Sequence, residues 1–465
     1  MVKFIIFCNY FFFFYLIIYA TMLLITNIYG AVAMYNYRRK EMLHNQLEED
    51  FYLPFSIIVP AYNENIYLIQ TVNNLLKQDY KRYEIVVVDD GSTDNTKQLM
   101  IDTFKMKRSY GMPIRYQVPC KQIKEYYSAR VNGIQIIMIT KVNGGCKADA
   151  SNAGINVASY PYIVDMDADE VLQRDALRYV ARAFAENSQV IGVGGNIKIS
   201  NNVKFKDAIP VEATLSSNPI ANMQVLEYGR AFIGSRIFYN NTNSNMIISG
   251  GFGAFKKSAL VKVGGYDVYN KGEDMELTMK LHQFYRKNNI PYRMVYVPDA
   301  VCWTQAPDNM KDFKKQRQRW YVGLIQNYYK YRSMMFNPKY GFLGMATMPF
   351  NFFYELLCPE FIILGWFLIV ASLILKLINL RLFIIALSSY ILFGIMLTLT
   401  MYIDKSFMKN DHYSYLDVVR AFFIAFLDAA FFRPHLFLME FAVLFKYRKI
   451  AKVWFSPKRI QIRTD

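Results

Sequence analysis

The chain has 465 residues, room for roughly two or three domains, with 53% hydrophobic, 16% aromatic and only 20% charged side chains. A net charge of +17 suits nucleic acid, anionic lipid or phosphorylated substrates. However, the basic clusters Arg38-Arg39-Lys40, Lys446-Tyr447-Arg448-Lys449 and Lys458-Arg459 flank apolar segments, which argues for membrane borders and against nucleic acid. Cys8, Cys120, Cys146, Cys302 and Cys358 form no C-x-x-C pair and the histidines are few, so neither a disulfide framework nor a zinc site is expected.

Residues 4–35 are apolar, with no charge between Lys3 and Arg38. A membrane span needs about 20 such residues. A cleaved signal peptide would have a shorter core and a small-residue cleavage site; here Arg38-Arg39-Lys40 acts as a stop. The expectation is a transmembrane helix over 1–37, its N-terminus outside and the following domain in the cytosol by the positive-inside rule.

From 50 to 337 the pattern is that of a soluble α/β domain. Residues 55–59 and 83–88 are β-branched runs suited to strands buried on both faces, and 134–140, 162–164, 190–199 and 294–297 continue the series. Helical stretches at 66–78, 147–158, 175–186 and 273–286 alternate with them, which predicts a mostly parallel, doubly wound sheet. Ligands bind such sheets beyond the carboxyl ends of the strands, where the acidic motifs of this chain fall.

After Pro338 the chain turns apolar again. Residues 353–375 and 380–403 read as spans. The stretch 416–446 carries Asp417, Arg420, Asp428, Arg433 and Glu440, too many ionisable groups for a lipid-facing helix. A re-entrant or interfacial pair broken at Arg433-Pro434 is expected there, within a membrane region over 338–450. A basic cytosolic tail, 451–465, follows.

Four motifs carry chemistry. The first strand ends in a Pro-bearing loop, where Pro60, Ala61, Tyr62 and Glu64 can face a flat base, although ordinary strand-to-helix turns look similar. The second ends in Asp89-Asp90, whose carboxylates can accept a uracil N–H, with Gly91 for the tight turn. Asp167-Ala168-Asp169 follows the strand at 162–164 as a candidate Mg²⁺ or Mn²⁺ site, since such ions take one or two carboxylates plus substrate phosphates; Asp165-x-Asp167 is a competing pair. Glu273-Asp274 opens a helix, either as dipole partners or with Asp274 as a general base. Gln316, Arg319 and Trp320 share a helix face, offering a diphosphate-binding guanidinium and a flat ring for a sugar. A basic helix lying on the membrane reads the same way.

Together these residues resemble the membrane-integrated family-2 glycosyltransferases with a GT-A domain, in particular the processive synthases of cellulose, chitin, hyaluronan and poly-β-1,6-N-acetylglucosamine. Gln316, Arg319 and Trp320 match the Q-x-x-R-W motif, Asp167 and Asp169 the D-x-D motif, and Glu273 and Asp274 the E-D motif. Asp89-Asp90 matches the uridine-binding Asp, and the resemblance covers about 54–330. The stretch from Asn143 to Asn152 is similar to N-G-G-K-A-D-A-L-N of the poly-N-acetylglucosamine group, whose Lys reaches the nucleotide diphosphate; here Cys146 is an extra residue before Lys147. The segments from Ser249 to Lys256 and from Val301 to Pro307 also resemble that group.

The resemblance implies a Rossmann-like GT-A domain flanked by transmembrane helices, at the plasma membrane, multi-pass, with catalysis on the cytosolic side. It implies inverting transfer from a UDP-sugar with Mg²⁺ or Mn²⁺. Asp274 would be the base, Lys147, Arg319 and a metal on Asp169 would hold UDP, and Trp320 would stack on the acceptor. A growing β-linked polysaccharide is the implied acceptor and UDP-N-acetylglucosamine the favoured donor, ahead of UDP-glucose. With few clear spans, a pore would draw on a second copy or an export or accessory subunit. Transfer of one sugar to a lipid, or a catalytically dead membrane scaffold, are the rival readings.

Overall fold

The computed structural model describes residues 2–44, 52–65, 67–111, 114–377 and 414–452, with isolated positions between 381 and 394. Helix α1 (Val2–His44) leads into β1 (Phe55–Ala61), α2 (Leu68–Leu75), β2 (Tyr83–Asp89), α3 (Thr96–Phe104), β3 (Lys107–Arg108), β4 (Ile123–Val131) and β5 (Ile134–Lys141). Next come α4 (Lys147–Val157), β6 (Tyr162–Met166), β7 (Val171–Leu172), α5 (Ala176–Glu186), β8 (Val190–Ile199) and a hairpin of β9 (Val203–Lys206) and β10 (Ile209–Ala213). Then follow α6 (Pro219–Gly229), α7 (Arg236–Asn241), β11 (Phe252–Lys256), α8 (Lys257–Lys262), α9 (Glu273–Lys287), β12 (Arg293–Thr304) and α10 (Met310–Tyr331). The C-terminal helices are α11 (Met348–Asn351), α12 (Cys358–Ile374), α13 (Tyr415–Leu427) and α14 (Arg433–Lys452).

Among the described residues ten strands form one sheet, in the order β3-β4-β5-β2-β1-β6-β11-β8-β12-β7. The sheet is mixed. Strands β5, β2, β1 and β6 run parallel, as do β8 and β12, which is the α/β core expected from the buried runs. Strand β11 inserts antiparallel between β6 and β8, and β3, β4 and β7 are antiparallel at the edges. These added strands lack long β-branched runs, so their pairing is set by tertiary context rather than by local pattern.

Every residue of β2 is buried, because both faces of the parallel core are covered. Ile85 and Val87 point into one layer with Phe55, Ile57 and Met100. Val86 and Val88 point into the other with Ile58, Ile137 and Ile139. Each such side chain contributes about 1.5–3 kcal/mol on burial. Helix α4 lies against β1 through Gly154, where a β-carbon would fall 2.4 Å from Ile58 Cγ2. That close seat brings Lys147, the first residue of α4, to the carboxyl end of the sheet.

Among the described residues one helix, Lys3–Arg39, is long and apolar enough to cross a membrane, and its apolar window is only 11% buried. Arg38 at its basic end pairs with Asp299 at 2.5 Å, both side chains nearly buried, tying the helix to β12. The expected span at 353–375 is bent by 49° at a break between Leu343–Leu356 and Cys358–Ile374. The expected span at 380–403 falls almost wholly outside the described residues.

The expected break at Arg433-Pro434 is absent. A π-helical segment, Asp428–Phe432, joins α13 to α14 without leaving helical geometry. Pro434 directly follows this π-helical segment, the kind of local irregularity at which a helix accommodates an interior proline. Of the ionisable groups expected to trouble lipid, Arg420 stays exposed, while Asp417 and Asp428 are turned to protein. Asp417 closes a capping box with Ser414, and Asp428 accepts hydrogen bonds from Arg230 at 2.8 Å and Arg433 at 3.1 Å.

Candidate functional site

The carboxyl ends of β1, β2 and β6 open into a cavity of about 1910 Å³. Pro60, Ala61, Tyr62 and Glu64 line it from the β1 loop, and Asp90 from the end of β2. Lys147, Asp167 and Asp169 form another wall; Glu273 and Asp274 a third; Gln316, Arg319 and Trp320 a fourth. Motifs more than 200 residues apart in sequence thus share one space. Asp89 is the exception. Its side chain accepts from Ser92 N at 2.9 Å and closes the turn, as a short carboxylate commonly does, so Asp90 alone of the pair faces the cavity.

Asp90 accepts from Gly144 N at 3.0 Å and pairs with the ammonium of Lys141. Lys141, fully buried at the end of β5, also lies 2.5 Å from Asp149. Burial raises the Asp90 pKa, against the opposing pull of Lys141 and the Gly144 amide. The two-carboxylate cage compensates a lysine charge that would otherwise be costly to bury and pins the loop before α4. Lys141 carries no motif of its own, and although Asp149 lies in the stretch from Asn143 to Asn152, only the fold reveals that the two pair.

Of the three aspartates at the carboxyl end of β6, Asp165 is spoken for. It is 2% exposed, accepts from Ser151 Oγ at 2.9 Å and has Tyr266 as a further partner. Asp165 is thus engaged inside the protein, whereas Asp167 and Asp169 line the cavity wall. Among the described residues no group of three or more His, Cys, Asp or Glu side chains converges as a closed metal cage. Two carboxylates suit an ion that completes its shell with substrate phosphates and water, so the residues fit such an ion. Lys147 Nζ lies 2.7 Å from Asp167 Oδ1, 3.7 Å from Asp165 and 2.5 Å from the Gly250 carbonyl oxygen. Burial works against its charge, but Asp167 and Asp165 outweigh it and raise its pKa. The extra Cys146 has therefore not displaced this lysine from the acidic cluster.

Asp274 sits in the first turn of α9. Its Oδ2 accepts from Gly250 N at 2.9 Å and its Oδ1 from Met275 N at 2.8 Å, so the carboxylate is aimed by backbone rather than by a flexible partner. Glu273 beside it is buried; desolvation and the Asp274 charge push its pKa up to about 7, with Arg319 and Lys147 opposing. Trp320 remains 37% exposed at the cavity edge. Glu170, unremarked in the sequence, is raised to about 8 by burial and by Asp167, and Cys302 Sγ donates to it at 3.2 Å. Arg317, also missed, forms a two-pronged pair with Glu227; its place inside the Q-x-x-R-W stretch was the available signal.

Residues 54–323 match the family described as "Glycosyltransferase like family 2", and residues 264–434 match "Chitin synthase". The chain is 30% identical over 317 residues to a poly-beta-1,6-N-acetyl-D-glucosamine synthase of Staphylococcus aureus, covering 67% of this chain and 65% of that one. The corresponding protein of Staphylococcus epidermidis is 30% identical over 280 residues, 60% of this chain and 55% of that one. The match spans less than two thirds of the length of these curated relatives. A solved mannosyltransferase from Pyrobaculum calidifontis, in complex with GDP-Man and Mn²⁺, aligns with a TM-score of 0.49 at 19% identity, over 84% of this chain and 98% of that one.

Proposed function

The chain belongs to glycosyltransferase family 2, and from that membership we propose that it extends a β-linked polysaccharide by inverting transfer from a UDP-sugar. The observation that carries the reading is the single cavity shared by Asp90, Asp167, Asp169, Asp274, Arg319 and Trp320. The favoured sugar is N-acetylglucosamine, supported by the similarity to poly-beta-1,6-N-acetyl-D-glucosamine synthases; UDP-glucose is the second candidate.

In this reading Asp90, steadied by Lys141, accepts the uracil N–H. Lys147 and Arg319 bind the diphosphate. Asp167 and Asp169 would hold Mg²⁺ or Mn²⁺, which when bound neutralises charge on the leaving diphosphate. The acceptor hydroxyl oxygen attacks the anomeric carbon, the bond to UDP breaks on the opposite face, and Asp274 takes the hydroxyl proton. The Gly250 and Met275 amides keep that carboxylate oriented toward the cavity before the acceptor arrives, which is the positional part of the rate gain. Trp320 offers its ring to the terminal sugar of the acceptor. Domain boundaries follow as proposed: a membrane helix over 1–37, a catalytic domain over 50–337 on the cytosolic face, and further membrane or interfacial helices over 338–450 before the basic tail. A second copy or an export subunit would complete a route for the polymer.

The test uses the full chain in lipid nanodiscs with Mg²⁺ or Mn²⁺ and a panel of UDP-sugars. UDP release is followed and the product sized before and after specific glycosidases. A long, hexosaminidase-sensitive product made from UDP-N-acetylglucosamine is expected. A single-sugar lipid product would keep the transfer chemistry and overturn polymerisation; no UDP release from any donor would overturn the whole reading.

A further inference from the structure

Arg317 lies between Gln316 and Arg319 in sequence but is spent differently. Its side chain is 5% exposed, and its two terminal nitrogens donate in parallel to the two carboxylate oxygens of Glu227 on α6, each at 2.5 Å. The same guanidinium lies 4.7 Å from the centre of the Phe313 ring and 4.6 Å from that of Trp320. Phe313 precedes it by one helical turn and Trp320 follows it by nearly one, so all three occupy one face of α10. A two-pronged carboxylate pair fixes the plane of a guanidinium as well as its place, and a cation over an indole is attracted to the face of the ring. Glu227, Arg317 and Trp320 all border the cavity.

We infer that Arg317, clamped by Glu227, is a positioning residue that sets the tilt of the Trp320 ring against the terminal sugar of the acceptor. The inference rests on the proposed role of Trp320 as the acceptor platform. A mere tie between α6 and α10 would hold the helices together yet leave the indole free to rotate. The clamp instead predicts that disturbing either partner is felt at Trp320 and on the acceptor side, with the donor side untouched. Lysine keeps the charge of Arg317 but has no fork, and glutamine keeps the shape of Glu227 but not its charge, so Arg317→Lys and Glu227→Gln isolate the device.

The experiment labels the full chain with 5-fluorotryptophan in nanodiscs, where its four tryptophans give separate fluorine resonances and Trp320→Phe assigns one. Arg317→Lys and Glu227→Gln are expected to shift or broaden the Trp320 signal and leave that of Trp303, buried against Phe205, in place as a check on folding. In parallel, with UDP-N-acetylglucosamine as donor and a pentamer of N-acetylglucosamine as acceptor, the acceptor KM should rise about fivefold. Turnover should stay within about twofold and UDP affinity unchanged. An unmoved Trp320 signal, or a loss of turnover or UDP affinity without an acceptor effect, overturns the inference. Should Arg317→Lys disturb Trp303, Glu227→Gln decides. Absence of UDP release by the parent protein would instead sink the proposed function, and the fluorine spectra would still judge Arg317.

Discussion

Gly323 of α10 touches Gly272, the residue before α9: a β-carbon built on Gly323 falls 2.6 Å from the Gly272 nitrogen. Around this contact Asn327 donates to the Gly272 carbonyl at 3.0 Å, and Gln326 accepts from Lys271 N at 2.8 Å. The helix carrying Arg319 and Trp320 is thereby seated on the first turn of the helix carrying Asp274. Backbone on both sides leaves no soft partner to yield, so Gly323→Ala should force the two elements apart at about 1–3 kcal/mol of strain. Turnover is expected to fall by about tenfold or more, since small misplacements of reacting groups are costly. UDP binding should hold, and calorimetric UDP titration beside a rate assay would expose any loss of both together.

Asp274→Asn keeps the size of the side chain and removes the base. Transfer should drop by about 10²–10⁴-fold, with UDP affinity within about twofold of the parent. An active Asn variant would reassign Asp274 to a dipole partner of α9 and nothing more.

The aspartates at the carboxyl end of β6 should separate by phenotype. Asp169→Ala should weaken Mn²⁺-dependent UDP binding while the protein stays folded. Asp165→Ala should chiefly lower stability, by about 1–3 kcal/mol, because it strands the Ser151 hydroxyl that it accepts from. If thermal unfolding ranks the two the other way round, the metal pair has been misassigned.

Why some of this was readable and some was not follows from which signals are local. Strands β1 and β2 announce themselves because both faces are buried, so their residues form unbroken apolar runs that end abruptly in Asp90 or in Pro60. Trp320 and Arg319 sit on an ordinary helical face. Strand β11 and the edge strands carry no such run; β11 is a strand because Met166 and Gly194 already wait on either side of it. Lys141 reads as the polar end of a strand, and only the return of α4 brings Asp149 to it. Glu227 is 90 residues from Arg317, a separation at which no periodicity speaks. Asp89 and Asp90 are equivalent in sequence, and the turn geometry that assigns one to Ser92 and the other to the cavity is a property of the folded loop.

If Asp167 holds the proposed cation, Lys147 is its competitor. With its ammonium 2.7 Å from Oδ1, the lysine supplies the positive charge that the carboxylate pair would otherwise draw from an ion. Lys147→Met should therefore tighten binding of Mn²⁺ alone, by about tenfold if one charge-assisted hydrogen bond is exchanged, while weakening UDP binding if, as proposed, the same ammonium binds the diphosphate. Electron paramagnetic titration of Mn²⁺ without nucleotide reads the first effect. Unchanged Mn²⁺ affinity would mean that Asp167 can serve both partners at once.

Glu273 gives the site a pH signature in stability. Its pKa is pushed from 4.5 up to about 7, first by burial and then by the adjacent Asp274 charge. For an acid raised in this way the folded state prefers the neutral form. Its stabilising contribution is complete below about pH 4.5 and is lost as the pH climbs through about 7. That shift is what remains after Arg319 and Lys147 have opposed burial and Asp274, and ionisation in the folded protein costs on the order of 3 kcal/mol. Glutamine mimics the neutral acid without titrating, so Glu273→Gln should match the parent near pH 4.5 and become progressively more stable than it toward pH 8. Thermal midpoints of both proteins in detergent across that range read the difference directly. A gap that stays constant with pH would show that Glu273 titrates alike in the folded and unfolded protein, its burial beside Asp274 being fully compensated by Arg319 and Lys147.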